Sequence, residues 1–349
     1  MMRMRSPRFA TTGSSRCSGR RPGAVLVAVR WCFAKPRPGH QLHDAAVDTG
    51  QPCSGRCAGR NDRDTGWRFA RWAALTNGRG TVCVFTGRGE CIEKYFETVR
   101  DLRQRGYAVA VIDWRGQGHS SRQLRNPLKG HVESFAEYQI DVGAFVKQVV
   151  LPDCPPPYFA MAHSMGGAVM LRVAHAGLEV FERFVLCSPM VDLPGLRASL
   201  SMRGLMRLLR AAGMGERFIP GGNIDLIKST GFAGNPLTSD PRRYGRNASI
   251  LEADPTLGIA SPTVAWLNAA FAAMGEFRSS EFAGGIRQPV LMLAAGDDTI
   301  VSTPANAAFA RHLPAGSHRV IAGAKHEMLQ EDDRYREQLW AAFDAFMPG

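Results

Sequence analysis

Nowhere does this sequence hold the ~18 consecutive apolar residues that a membrane-crossing helix needs. The chain has 349 residues and 45% hydrophobic content, the ordinary level for a globular protein with a sizeable core in one or two domains. Zinc-type spacing is also missing. Of the eight cysteines, only Cys53 and Cys57 form a close pair, and no second pair or His-x-x-x-His stands near to complete a site. Cys83, Cys91 and Cys187 fall in or beside apolar runs, where a reduced thiol behaves as a small apolar group. Acidic residues are scarce at one end only. Residues 1–63 hold 12 Lys/Arg against 3 Asp/Glu, whereas the rest holds 31 against 28. The net charge of +12 therefore belongs mostly to the N-terminal segment, and the main body has no basic field of the kind nucleic-acid binding uses.

That segment lacks the unbroken apolar stretch and small-residue cleavage site of a secretory signal, because the run from Ala24 to Val29 stops at Arg30. Being rich in Arg, Ser, Gly and Pro, residues 1–63 are expected to be a disordered basic extension outside the fold. A start codon placed too early would produce such a segment, and that reading is preferred to an organelle transit peptide. The expected location is cytoplasmic.

Order is expected from residue 64 to 349. Trp67 to Trp72 alternates apolar and polar residues, as an edge strand does. Buried strands are predicted at Thr81–Phe85, Tyr107–Ile112, Tyr158–Ala162 and Phe184–Cys187, and further strands at Pro289–Gly296 and His318–Ile321. Helical periodicity lies between them, at 92–105, 135–150 and 165–174, and again in a closing helix with Leu339 and Phe343. Alternation of this kind implies a mainly parallel sheet with helices on both faces, and ligands bound beyond the carboxyl ends of the strands. The rhythm breaks from about 190 to 283. This helical insertion is read as a lid over the site.

The chemistry centres on Ser164. It sits between an apolar strand and a helix, with Ala162 two residues before it and Gly166 two after. A sharp strand-to-helix turn tolerates only small residues there, and it lifts the serine hydroxyl clear of the sheet. The usual pattern is G-x-S-x-G, with Ala162 here in place of the first glycine. A serine hydroxyl is a weak nucleophile unless a base holds its proton and an acid orients the base. His326, right after the last strand, is the candidate base. Asp298, two residues after Gly296 and ahead of Ile300-Val301, is the candidate acid. It is preferred to its neighbour Asp297 and to Asp192, which follows the preceding strand. Oxyanion donors are expected from the backbone N–H groups of Met165 and Arg88.

Together these residues resemble the α/β-hydrolase superfamily, within it the serine hydrolases of the lysophospholipase L2 and monoacylglycerol lipase group. The resemblance spans about residues 66–347. It includes Gly87-Arg88-Gly89-Glu90, the Asp113-Trp-Arg-Gly-Gln-Gly-His-Ser turn, Lys129-Gly130-His131-Val132, the elbow at Ser164, Gly296-Asp-Asp and Gly323-Ala-Lys-His326. It departs at Thr86, where the group often has histidine, and in the lid. The resemblance implies an α/β-hydrolase fold with a helical lid. It also implies cleavage of a carboxylic ester of a monoacyl lipid through an acyl-serine intermediate, with lysophospholipid the first expectation and monoacylglycerol the next. No metal and no organic cofactor are implied. Arg203, Arg207 and Arg210, on a predicted lid helix, are candidates to meet a phosphate head group. The lid is also the candidate for peripheral membrane contact. A small-ester hydrolase, an acyltransferase and a non-catalytic ligand-binding protein are the alternatives.

Overall fold

A computed structural model describes residues 53–58, 66–75, 78–195, 199–222 and 231–348, all within the compact unit Thr49–Gly349. Eight strands form one sheet in the order β1-β2-β4-β3-β5-β6-β7-β8. They are β1 Cys53–Ala58, β2 Gly66–Trp72, β3 Thr81–Phe85, β4 Ala108–Asp113, β5 Tyr158–His163, β6 Arg183–Cys187, β7 Val290–Ala295 and β8 Gly316–Ile321. β1 and β2 pair antiparallel, as do β2 and β4. Every pairing from β4 through β8 is parallel.

The central strands are short and fully buried. The burial pattern of β3, β4 and β7 is unbroken, as expected for parallel strands covered on both faces. Side chains alternate between two cores. Cys83 and Phe85 of β3 face one core with Trp114, Phe145 and Phe181. Val82 and Val84 face the other with Tyr95, Tyr107 and Phe343. Each fully buried aromatic stabilises the fold by roughly 2–3 kcal/mol relative to exposure.

The helices follow from the same alternation. α1 Phe96–Gln104 and α10 Asp333–Phe346 cover one face; α2 Ala136–Phe145, continued through a wide turn into α3 Leu151–Asp153, and α4 Met165–His175 cover the other. Between β6 and β7 the chain forms α5 Leu200–Ala211, α6 Pro241–Ala253, α7 Val264–Glu276 and α8 Ser280–Gly284, and α9 Thr303–Ala310 follows β7. Side chains cap these starts. Asp240 accepts from the N–H groups of Arg242 and Arg243, and Thr263 accepts from Trp266. Among the described residues, no helix is long and apolar enough to cross a membrane.

β1 falls inside the segment that composition assigns to the extension. Its main chain pairs with β2 from Cys53↔Arg71 to Ala58↔Gly66. An edge strand needs hydrogen-bonding groups more than an apolar face, so composition alone does not reveal it. Residues 1–52 and 59–63 of that segment lie outside the described residues.

Candidate active site

The parallel strands point the same way, so the loops that follow them gather at one end of the sheet. β3 leads to Thr86–Glu90, β5 to Ser164, β7 to Asp298 and β8 to His326.

Ser164 adopts φ 51° and ψ −115°, a conformation costing an L-residue of order 1–3 kcal/mol. Its neighbours have no room for side chains. A Cβ on Gly166 would stand 2.5 Å from the Phe85 carbonyl oxygen and 2.6 Å from that of Thr86. One on Gly167 would stand 2.7 Å from Pro189 Cβ. The close approach of α4 to β3 and to the Pro189 loop thus requires glycine at both positions.

Three residues separated widely in sequence meet here. The Ser164 hydroxyl lies 3.0 Å from His326 Nε2, and His326 Nδ1 lies 2.8 Å from Asp298 Oδ2. Asp298 also accepts from the backbone N–H groups of Ile300 and Val301 at 2.8 and 3.0 Å. Burial by itself would raise its pKa. The hydrogen bond and charge of His326 and these two N–H groups outweigh that and hold the carboxyl below its ordinary value. A carboxylate facing Nδ1 favours the tautomer with the proton on Nδ1, which leaves Nε2 free to accept from the Ser164 hydroxyl. Asp192 is engaged elsewhere, with Arg203 and Arg278.

Met165 begins α4, so its N–H has no partner within the helix. Arg88 follows Gly87 in the loop after β3. Gly87 donates its N–H to Glu90, and Gly89 donates to Gln117 Oε1 at 3.1 Å. The hydrogen bonds among the described residues use neither the Arg88 nor the Met165 N–H.

Beneath this constellation lies a buried ionic cluster that spacing does not reveal. Lys94 Nζ stands 2.6 Å from Glu90 and 2.6 Å from Glu327. Glu90 also accepts from the Tyr95 hydroxyl at 2.6 Å. The His163 ring makes its contacts away from the Ser164 hydroxyl. Its Nδ1 lies 3.2 Å from Glu90 and its Nε2 3.2 Å from the His326 carbonyl oxygen. Both partners are acceptors, and a ring protonated on both nitrogens satisfies both contacts. Burial opposes that charge, but Glu90 raises the His163 pKa above its ordinary value. In turn, Lys94 and His163 overcome burial and hold Glu90 well below the usual carboxylate range. The cluster ties the loop after β3, the elbow and the loop after β8 into one unit. The only sequence signal for it is Glu90 and Lys94 at i, i+4, which many exposed helices share.

Among the described residues, no group of three or more His, Cys, Asp or Glu side chains is placed to hold a metal ion.

A family model described as serine aminopeptidase, S33, matches residues 76–333. The chain is 33% identical over 289 residues to lysophospholipase L2 of Escherichia coli (strain K12), covering 80% of this chain and 83% of that protein. It is 26% identical over 269 residues to the probable lysophospholipase L2 of Haemophilus influenzae, covering 77% and 84%. Among solved structures, a soluble variant of monoglyceride lipase from Saccharomyces cerevisiae in complex with a substrate analogue superposes with a TM-score of 0.67. Its identity is 19%, with 88% of this chain and 99% of that one covered. A thermostable carboxyl esterase from Bacillus coagulans superposes at 0.70 with 20% identity, covering 84% and 96%. At such identities the structural likeness speaks for the fold alone.

Proposed function

This chain belongs to the α/β-hydrolase superfamily, in the serine-hydrolase family related to lysophospholipase L2 and monoacylglycerol lipase, and we propose that it hydrolyses the carboxylic ester of a monoacyl lipid through an acyl-serine intermediate. Ser164 Oγ gives its proton to His326 Nε2 and attacks the ester carbonyl carbon. The carbonyl electron pair moves onto oxygen, where the N–H groups of Arg88 and Met165 receive it. Collapse of that intermediate expels the glycerol oxygen, which takes the proton from His326. Water then repeats the sequence on the acyl-serine, with His326 as base, and releases the fatty acid. Asp298 holds the His326 tautomer and supports its charge throughout.

The observation that most supports this reading is the continuous hydrogen-bond line Asp298–His326–Ser164, at 2.8 and 3.0 Å. The curated relatives named lysophospholipase L2 support a lipid ester as substrate. The helices between β6 and β7 serve as the lid in this reading. Peripheral lipid contact is assigned to α5, on which Leu200, Leu205 and Leu208 are exposed at 83%, 38% and 66%. Single exposed leucines are common, whereas three on one short helix beside Arg207 make an apolar and cationic face.

The test is nitrophenyl-ester turnover and fluorophosphonate labelling of the full chain, beside Ser164→Ala. Labelling at Ser164 is expected, with turnover reduced by about 10⁴-fold or more in the variant. An unlabelled, inactive wild type would sink the proposal. Fatty-acid release from a panel of lysophospholipids, monoacylglycerols and short esters then ranks the substrates.

A further inference from the structure

The arginines that the sequence offers for a phosphate head group are largely occupied. Arg203 is buried, donates to the Phe271 carbonyl oxygen and to Asp192 at 3.1 Å each, and lies over the Phe271 ring. Arg210 pairs with Glu133 at 2.8 Å. Another arginine is in the opposite condition. The side chain of Arg88 runs from the loop after β3 to the underside of the lid. Its Nη2 donates to the Ala260 carbonyl oxygen at 2.8 Å, and its guanidinium stands 5.0 Å above the Trp266 ring. Its Nε is shut off from solvent and has no partner. Among the described residues no carboxylate pairs with it. Burial lowers its pKa only to about 10, so the group is a cation at neutral pH. The residue as a whole remains partly accessible.

A cation enclosed without a counter-charge is a costly arrangement unless something completes it. The surroundings hold it in place without neutralising it. Trp266 is itself fixed by donating Nε1–H to the Tyr138 hydroxyl at 3.0 Å. The Ala260 segment is fixed by its N–H to the Leu128 carbonyl oxygen at 2.8 Å. One carbonyl acceptor leaves most of the five guanidinium donors without a protein acceptor. Their planar fork matches two oxygens of a phosphate. The backbone of the same residue carries a proposed oxyanion N–H, so the guanidinium lies only a side chain's length from the ester. In a lysophospholipid the phosphate is likewise only a few bonds from the ester carbonyl. A monoacylglycerol has a neutral hydroxyl there instead.

We propose that Arg88 is the residue that selects a phosphodiester head group, making the site one for lysophospholipids in preference to monoacylglycerols. The proposal rests on the ester-hydrolase reading above and adds the charge of the substrate to it. Arg88 thereby acts twice, through its N–H on the reacting oxygen and through its guanidinium on the head group.

The experiment compares kcat/KM for lysophosphatidylcholine and for monoacylglycerol of the same acyl chain in wild type, Arg88→Met and Arg88→Lys. The ratio of the two values should fall at least tenfold in Arg88→Met, while Arg88→Lys retains part of it. A parallel measurement needs no variant. In wild type, glycerophosphocholine should inhibit nitrophenyl-ester turnover at concentrations at least tenfold lower than glycerol does. The proposal is overturned if the ratio stays constant while both values fall together, which would make the side chain a lid tether only. It is also overturned if glycerol inhibits as well as glycerophosphocholine, or if inorganic phosphate inhibits equally well, since the site would then not read a diester head group. A wild type that releases fatty acid from monoacylglycerol alone removes this inference and leaves the hydrolase reading standing. One that turns over no ester and takes no fluorophosphonate removes both.

Discussion

The floor and the roof of the site treat buried charge in opposite ways. In the floor, Lys94 stands between Glu90 and Glu327, and the His163 ring stands against Glu90. Every member has a partner of opposite charge or a backbone acceptor. In the roof, the Arg88 guanidinium has one carbonyl and one ring. A completed ionic cluster holds loops in register and has no capacity left for a ligand. An incomplete one has capacity and contributes little to holding anything. Ser164 and His326 thus stand next to the closed cluster, while the uncompensated charge lies against Ala260 and Trp266.

The largest effect should come from breaking the line that the floor supports. Asp298→Asn keeps the shape but favours the wrong His326 tautomer, and kcat in nitrophenyl-ester turnover should fall by roughly 10³–10⁴-fold. The comparison itself is broken most directly by neutralising one cation from each region. Lys94→Met leaves two buried carboxylates facing one another and should cost about 3–5 kcal/mol in urea unfolding. Arg88→Met removes an uncompensated charge together with one hydrogen bond and should change stability by no more than about 1 kcal/mol. Equal losses for the two would erase the distinction between floor and roof.

A smaller effect separates the members of the floor. Glu90 raises the folded pKa of His163 above the unfolded value of about 6.5. Protonated His163 therefore adds stability that is fully present below about pH 6.5 and is lost as pH rises through the folded value. Melting temperatures of wild type and His163→Gln, measured from pH 6 upward, should converge as pH rises. A constant gap across that range would count against a charged His163. The smallest effect belongs to the exposed face of α5. Leu200→Ser with Leu208→Ser should lower the fraction bound to phospholipid vesicles a few-fold, at about 1–2 kcal/mol in total for the lost apolar contact. Unchanged cosedimentation would remove α5 as the lipid-facing element.

The line of Ser164, His326 and Asp298 above the floor was legible in sequence, because its signals are local. A strand, a serine between small residues and a helix describe a turn whose geometry is set within a few residues. The order of Ser164, Asp298 and His326 along alternating strands and helices fixes which end of the sheet they share. Asp298 could be preferred to Asp297 because the turn after Gly296 extends over only a few residues. β1 was not legible, since it is held by main-chain pairing and its composition matches that of the extension. The partners of Arg203 and Arg210 were not legible for a related reason. Helical spacing indicates that Arg203 and Arg210 lie on a helix surface, and it is silent on the Asp192 and Glu133 that meet them.

By itself, then, the sequence determined the parallel α/β architecture, the elbow at Ser164 and the identity of the residues that converge on it, because periodicity and turn sterics act over short stretches of chain. Only the tertiary structure decided which buried charges are compensated. Lys94 meets Glu327, and Arg88 meets Ala260 and Trp266 but no carboxylate, through segments far apart in the chain. Electrostatic compensation depends on distances in space, and no local pattern along a chain encodes them.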